Sequence, residues 1–373
     1  MGLKSLSNRL WPRTYTIFIS IDRGAFAPSD RAAGSNWGDV LSAEDSQAAE
    51  IIRVNAAAAP SLPGKARRAQ HAKHHGCVTA TFEVRADVPA DLRQGLFAEP
   101  QRYTAHIRFS NSRQKDDRQA DTHGMAIKLT GVPGEKLLPG EEHETAQDFL
   151  LVDSEVFITG DGATYTWLNK GLIDPGQSVL QRIGFWASMM LQPSLLLRIM
   201  RVAGGRPTSP LTQSYYSTTP YSCGAMPVKW VVRPASNRDA KPLSGPDGLA
   251  EALQRDLAGA PFQFDFGVDV QVDPAAQPIE DPTVAWSQAK GARRAWLATI
   301  TIPPQTLDRQ APLAENISYS PWHGLIAHTP LGAINQLRKP VYRELAIRRH
   351  KLNGVSPADT SELPSSRTGE FQL

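Results

Sequence analysis

The chain has 373 residues, 41% of them apolar and 21% charged, and a formal net charge of +3. That length can bury one large core or two domains, and the composition is ordinary for a globular protein. A small, dispersed charge argues against nucleic acid as a partner. The two cysteines, Cys77 and Cys223, show no CxxC spacing and no disulfide framework, which fits a reducing, cytoplasmic compartment.

Residues 1–50 read as an irregular N-terminal arm. Its apolar run, Tyr15 to Ile21, is too short for a signal sequence. A helix is expected from Ala43 to Ala56, broken by Pro60 to Gly64 and followed by a basic run, Lys65 to Arg68. Alternating, β-prone segments predict strands at Cys77–Val84, Thr104–Phe109 and Gly124–Leu129. Phe149–Val152 and Val156–Ile158 read as one more strand with an interruption, after an acidic insertion at Glu135–Gln147. The pattern turns helical from Asp161 to Arg201. Within it the apolar stretch 180–200 contains Gln192, Pro193 and Arg198, so it does not read as a membrane span. It reads as one or two amphipathic helices that meet the core, a second subunit in a homo-oligomer, or a membrane surface. Strands resume at Val228–Val232, Phe262–Val272 and Ala295–Ile302, and a last helix ends near Asn353-Gly354. Residues 355–373 are polar and Ser/Pro-rich, as in a disordered tail. Short strands flanked by helices predict an α+β chain around an antiparallel sheet or barrel.

The last helix carries Arg338-Lys339-Pro340-Val341-Tyr342. Side chains four apart on a helix share a face. A phenol ionises near pH 10, and an adjacent guanidinium favours its anion. A Tyr phenolate can be the axial ligand of haem iron. Pro340 is benign only in the first turn of the helix, which would leave Arg338 at or before its start. Upstream lies Arg68-Ala-Gln-His71-Ala-Lys73-His74-His75-Gly76-Cys77, leading into Thr81-Phe-Glu-Val84. Its histidines lack Cys or carboxylate partners at zinc-ligand spacing. One of them at a strand entrance could serve as a general base. In His106-Ile-Arg108-Phe-Ser110-Asn111, strand alternation puts Arg108 and Ser110 on one face. Asp121-Thr-His-Gly124-Met-Ala-Ile-Lys128 and Asp148-Phe-Leu-Leu-Val-Asp153-Ser-Glu-Val156-Phe157-Ile158 follow.

Taken in order, these segments resemble the catalase-like haem proteins. The family pattern is Arg-x-x-His-Ala-Lys…Phe-Glu-Val, Val-Arg-Phe-Ser, Arg-Gly-Phe-Ala-Leu-Lys, Asn-x-x-Val-Phe-Phe and Arg-x-x-x-Tyr. The matches span about residues 65 to 350. The chain's size, with Gly95-Leu-Phe-Ala-Glu-Pro100 and the Pro-Trp-His…Pro-Leu-Gly-x-Ile-Asn segment, is similar to the small bacterial catalase-related branch. That branch is distantly similar to the coral allene oxide synthase domain. The resemblance implies a catalase-like antiparallel β-barrel with flanking helices over residues 51–354, binding haem b.

It further implies Tyr342 as the iron ligand, Arg338 as the group that keeps it anionic, and Arg68, Arg108 and Arg349 as partners of the propionates. His71 falls on the distal catalytic histidine, with Ser110 fixing its tautomer. The spacing from His71 to Phe82 is one residue longer than the family's, so either a bulge intervenes or His75 takes the role. His74 reads as a solvated neighbour. Asp153 falls where the family has a distal amide, and an ionised Asp accepts but cannot donate a hydrogen bond. The expected function is a haem peroxidase or catalase-related oxidoreductase acting on organic or lipid hydroperoxides, or on hydrogen peroxide. A haem-binding protein without turnover, for sensing or storage, is the alternative.

Overall fold

A computed structural model of the chain describes residues 43–59, 66–237, 241–307 and 312–355. Most of the expected N-terminal arm, with its apolar run, and nearly all of the expected tail lie outside the described residues. Nine strands alternate with helices: β1 (His74–Val84), β2 (Arg102–Asn111), β3 (His123–Thr130), β4 (Gln147–Val152), β5 (Tyr215–Tyr216), β6 (Tyr221–Cys223), β7 (Met226–Pro234), β8 (Phe262–Val270) and β9 (Arg293–Ile302). They form one antiparallel sheet in the order β5-β4-β3-β2-β1-β9-β8-β7-β6. β5 also pairs with β7, through Tyr215 and Val232, and this closes eight strands into a barrel with β6 as an outer hairpin arm.

Period-two alternation decides what fills the barrel. Inward positions carry large aromatics, and Phe82, Phe149 and Phe266 meet with ring centroids 4.8 to 6.2 Å apart. Phe97 and Trp230 complete the plug. The interior is a packed core, as expected for an eight-stranded barrel. Any ligand site must therefore lie outside it. β2 shows why one exists: Ile107 and Phe109 face the core, while Arg108 and Ser110, on the opposite face, are also buried.

That second layer is helical. α1 (Ala43–Ala58), α2 (Gly162–Ile173) and α7 (Ala333–Asn353) pack on one another, with Ala48 and Ile51 of α1 against Leu337 and Val341 of α7. α7 stops at Gly354, whose φ of 65° suits a residue without a side chain. The helical excursion between β4 and β5 holds α2, α3 (Val179–Met190) and α4 (Pro193–Val202). A capping box opens α3: Ser178 Oγ accepts from the Gln181 backbone N–H, and Gln181 Oε1 accepts from that of Ser178. α5 (Gly248–Asp256) and the short α6 (Pro312–Asn316) pack against β1.

Three expectations are corrected. Val156–Ile158 is not a strand: the Phe157 N–H donates instead to the carbonyl of Pro282. β8 ends at Val270, before the expected Val272. Pro340 is not in the first turn of its helix, because α7 begins at Ala333. Its missing N–H leaves the Gln336 carbonyl without its helical partner, yet the helix continues on both sides.

Candidate functional site

A cavity of about 290 Å³ lies between the barrel's outer face and helices α1 and α7. Its walls are largely apolar, including Ile51 of α1, Met125 of β3, Leu150 of β4, Ile334 and Leu345 of α7, and Phe157. Of the polar groups that interrupt them, three carry chemistry.

The first comes from α7. The Arg338 Nη2 lies 3.3 Å from the Tyr342 hydroxyl, and its guanidinium sits over the same ring, 5.1 Å from the centroid. Helical spacing brings the two together, and the helix runs unbroken through both. A network that the sequence did not reveal aims the guanidinium. Arg338 Nη1 donates to Asn335 Oδ1 at 3.0 Å and to Thr219 Oγ1 at 3.1 Å. Asn335 is fixed in turn: its Nδ2 donates to the carbonyls of Pro220 and Leu331, and its carbonyl accepts the Trp322 indole N–H. Burial opposes the charge on Arg338, but Tyr342 and Tyr221 beside it more than offset this and hold the guanidinium firmly protonated.

The second group is on the barrel side. His71 Nδ1 lies 3.0 Å from Ser110 Oγ, and both residues line the cavity. Burial, then the Arg108 charge, lowers the imidazole pKa to about 4, so the ring is neutral at pH 7. Its backbone has φ 55°, a left-handed conformation held by His71 N–H to the Ser112 carbonyl and by Arg108 Nη2 to the His71 carbonyl. Thr218 has φ 59°; a β-branched residue rarely adopts this conformation. Among the described residues these are the two non-glycine positions with positive φ, and both line the cavity. Strain of this kind gathers at functional sites. Gly124 faces the His71 ring so closely that a Cβ there would sit 2.7 Å from Nδ1.

The third group is cationic. Arg68, Arg108 and Arg349 converge at one end of the cavity. Arg108 Nε and Arg68 Nη1 both donate to the Ala314 carbonyl, and Arg349 Nη2 donates to Ser318 Oγ at 2.9 Å. Burial, then Arg68 and Arg108, drives the Arg349 pKa well below its ordinary value. Glu315 is the carboxylate beside them, 3.8 Å from Arg68. Arg349 Nε and Glu315 Oε2 are buried without a hydrogen-bond partner. This is a cluster of positive charge short of anions.

Three sequence-predicted residues sit elsewhere. His75 does not line the cavity. The extra residue between His71 and Phe82 is absorbed by a β-bulge between His74 and Gly76, which turns His75 inward onto Asn111 Oδ1 at 2.8 Å. Asp153 also misses the cavity and pairs with His123. His74 is not solvated: its ring lies 3.3 Å from Glu315 Oε1, with the side chain only 10% exposed. Among the described residues no group of three or more His, Cys, Asp or Glu side chains is placed to hold a metal ion.

The architecture is similar to three solved structures: a fungal catalase (TM-score 0.62, 15% identity, covering 94% of this chain and 73% of that one), catalase A from Saccharomyces cerevisiae (0.61, 17%, 92% and 75%), and a bacterial catalase (0.55, 17%, 93% and 70%). No protein-family model matches the chain, and no curated protein matches it by sequence. The fold is therefore catalase-like, an antiparallel barrel with flanking helices.

Proposed function

We propose that the protein binds haem b through Tyr342 and acts as a haem-dependent oxidoreductase on peroxides, organic or lipid hydroperoxides in particular. The observation that carries this reading is one cavity lined by a phenol–guanidinium pair, a neutral histidine and an arginine cluster. The residues suit the cofactor. Tyr342 would ligate the iron, with Arg338 stabilising its phenolate. Arg68, Arg108 and Arg349 would hold the propionates, and the unpartnered Arg349 Nε supplies a free donor for one of them. The mostly apolar walls suit a macrocycle and favour an organic peroxide over hydrogen peroxide.

When bound, haem supplies the redox-active iron at which a peroxide O–O bond is cleaved. The protein's own residues handle the proton. His71, neutral at pH 7, can accept the hydroperoxide proton and return it to the departing oxygen. Pairing of Nδ1 with Ser110 leaves Nε2 for that task and fixes the ring plane. Val152, Met125 and Phe157 keep that wall apolar.

A binding protein without turnover is the second reading. It is favoured by Asp153, which stands where an amide donor was expected and faces away from the cavity. Spectra of wild type and Tyr342→Phe after haem reconstitution test the first step. A ferric high-spin spectrum altered in the variant supports tyrosinate ligation, and one indifferent to Tyr342 overturns it. Turnover of a fatty-acid hydroperoxide by the wild-type holoprotein then separates enzyme from binder.

A further inference from the structure

We infer that the elbow formed by α3 and α4 is a docking surface for an anionic lipid bilayer, into which its apolar side chains insert. This does not depend on the haem reading.

α3 carries two apolar stripes. Phe185 and Met189 form the inner one and pack on Trp167 and Leu168 of α2. Val179, Ile183, Trp186 and Met190 recur at i, i+4, i+7 and i+11, which makes a second, continuous face. Among the described residues nothing covers that face. Its residues are 54% to 73% exposed, and Leu191 in the turn and Leu197 on α4 extend it. Among the described residues, every large apolar side chain exposed by more than half lies on α3, α4 or the turn between them. A contiguous exposed apolar patch of this kind marks a contact site.

The charges around it choose the partner. No Asp or Glu occurs between Asp174 and Asp239, whereas Arg182, Arg198, Arg201 and Arg206 fall inside that stretch. Arg182 lies one turn before Trp186, and Arg201 one turn after Leu197, so guanidinium groups edge the apolar face. Arg182, Arg198 and Arg201 make no ion pair among the described residues. Basic groups bordering an unpartnered apolar face are what an interfacial helix presents to anionic headgroups. A second copy of this chain is a poor fit. A two-fold contact through the elbow would bring its arginines towards their own copies, and the elbow segment itself carries no carboxylate to meet them. Neither helix alone is long and apolar enough to cross a bilayer, and the pair, which has the length only when taken together, is bent by 96° at the break between Met190 and Pro193.

The test is co-sedimentation of the full chain with vesicles of phosphatidylcholine alone and of equimolar phosphatidylcholine and phosphatidylglycerol. Wild type is expected to pellet with the mixed vesicles and to bind neutral ones roughly tenfold or more weakly. Raising the salt to about 0.5 M should release it in part, because screening shortens the reach of the arginines. Ile183→Asp/Met190→Asp should abolish binding with no change in thermal melting, since both side chains are exposed. Arg182→Gln/Arg201→Gln should remove the preference for anionic vesicles. Binding that survives Ile183→Asp/Met190→Asp overturns the inference. So does a protein that ignores vesicles but self-associates through this face, seen as a sedimentation-velocity shift that the same variant abolishes.

Discussion

Asp153 and His123 are joined by three hydrogen bonds. Asp153 Oδ2 lies 2.7 Å from His123 Nδ1, Asp153 Oδ1 accepts the His123 N–H at 2.8 Å, and the Asp153 N–H donates to the His123 carbonyl at 2.9 Å. Both side chains are almost fully buried. Asp153 stands where the resemblance carried by the sequence has an amide. Its carboxylate is occupied by the His123 imidazole and does not line the cavity.

Asp153→Asn is therefore expected to destabilise the fold. It weakens a buried, charge-assisted pair, a loss of about 1–3 kcal/mol. Peroxide turnover should not rise, because an amide at this position would still point at His123. Urea melts and initial rates of wild type and variant test both halves. A faster enzyme with an unchanged melt would show that Asp153 governs the cavity after all.

Gly124→Ala separates the role of His71 from the fold. The new methyl would sit 2.7 Å from His71 Nδ1, closer than real Cβ contacts allow, and a tight 3.0 Å from Ser110 Oγ. The imidazole must swing away from the hydroxyl, while β3 keeps its pairing with β2 and β4. Turnover should fall by about 10²- to 10⁴-fold, the usual contribution of a positioned acid–base group. The spectrum of the bound haem should stay close to wild type. Unchanged turnover would remove His71 from the proposed chemistry.

Much of this site was legible because its parts are local. Arg338 and Tyr342 meet through helical spacing alone, and Arg108 and Ser110 share a face through strand alternation. The spacing also showed that either a bulge or His75 was needed, but only the β1–β2 register reveals the bulge. Asp153 could not be read from sequence, because its direction depends on the β3–β4 pairing that sets it beside His123. The Asn335–Thr219 support of Arg338 joins segments 116 residues apart. Its one sequence signal was the Pro-Leu-Gly-x-Ile-Asn segment, which ends on Asn335. Pro340 misled because tertiary packing of Leu337 and Val341 on α1 holds a helix that propensity alone would break.

Arg349→Leu tests the cationic end of the cavity. Arg349 loses hydrogen bonds to Ser318 and to the Ile317 carbonyl. It also stops repelling Arg68 and Arg108. These effects oppose each other, so the haem-free protein should change stability by no more than about 1 kcal/mol. Haem affinity should fall roughly tenfold or more, since that needs only about 1.4 kcal/mol of lost propionate binding. Titration of haem into both proteins, followed by absorbance, measures the ratio. Equal affinities would mean that the arginine cluster does not hold the cofactor.

The barrel should also be acid-labile in a window set by its buried histidines, His71 of the cavity and three that lie away from it. His328 Nε2 accepts the Leu96 N–H at 3.0 Å, a role open only to a neutral ring. Burial lowers its pKa to about 4. Burial, then Lys128, lowers His106 to about 4, and burial lowers His75 to about 3 despite its bond to Asn111. In the unfolded chain each would titrate near 6.5. Between those values the unfolded state binds more protons, so stability is full above pH 6.5 and is lost as the pH falls towards 4. Each histidine contributes at most about 1.4 kcal/mol per pH unit. Urea midpoints at pH 7.5 and pH 5 should therefore differ by several times the change seen between pH 9 and pH 7.5. His328→Gln, whose amide oxygen can still accept from Leu96, should flatten the acid slope by up to one histidine's share. A variant as acid-sensitive as wild type would mean that His328 titrates alike in the folded and unfolded states and contributes nothing to the window.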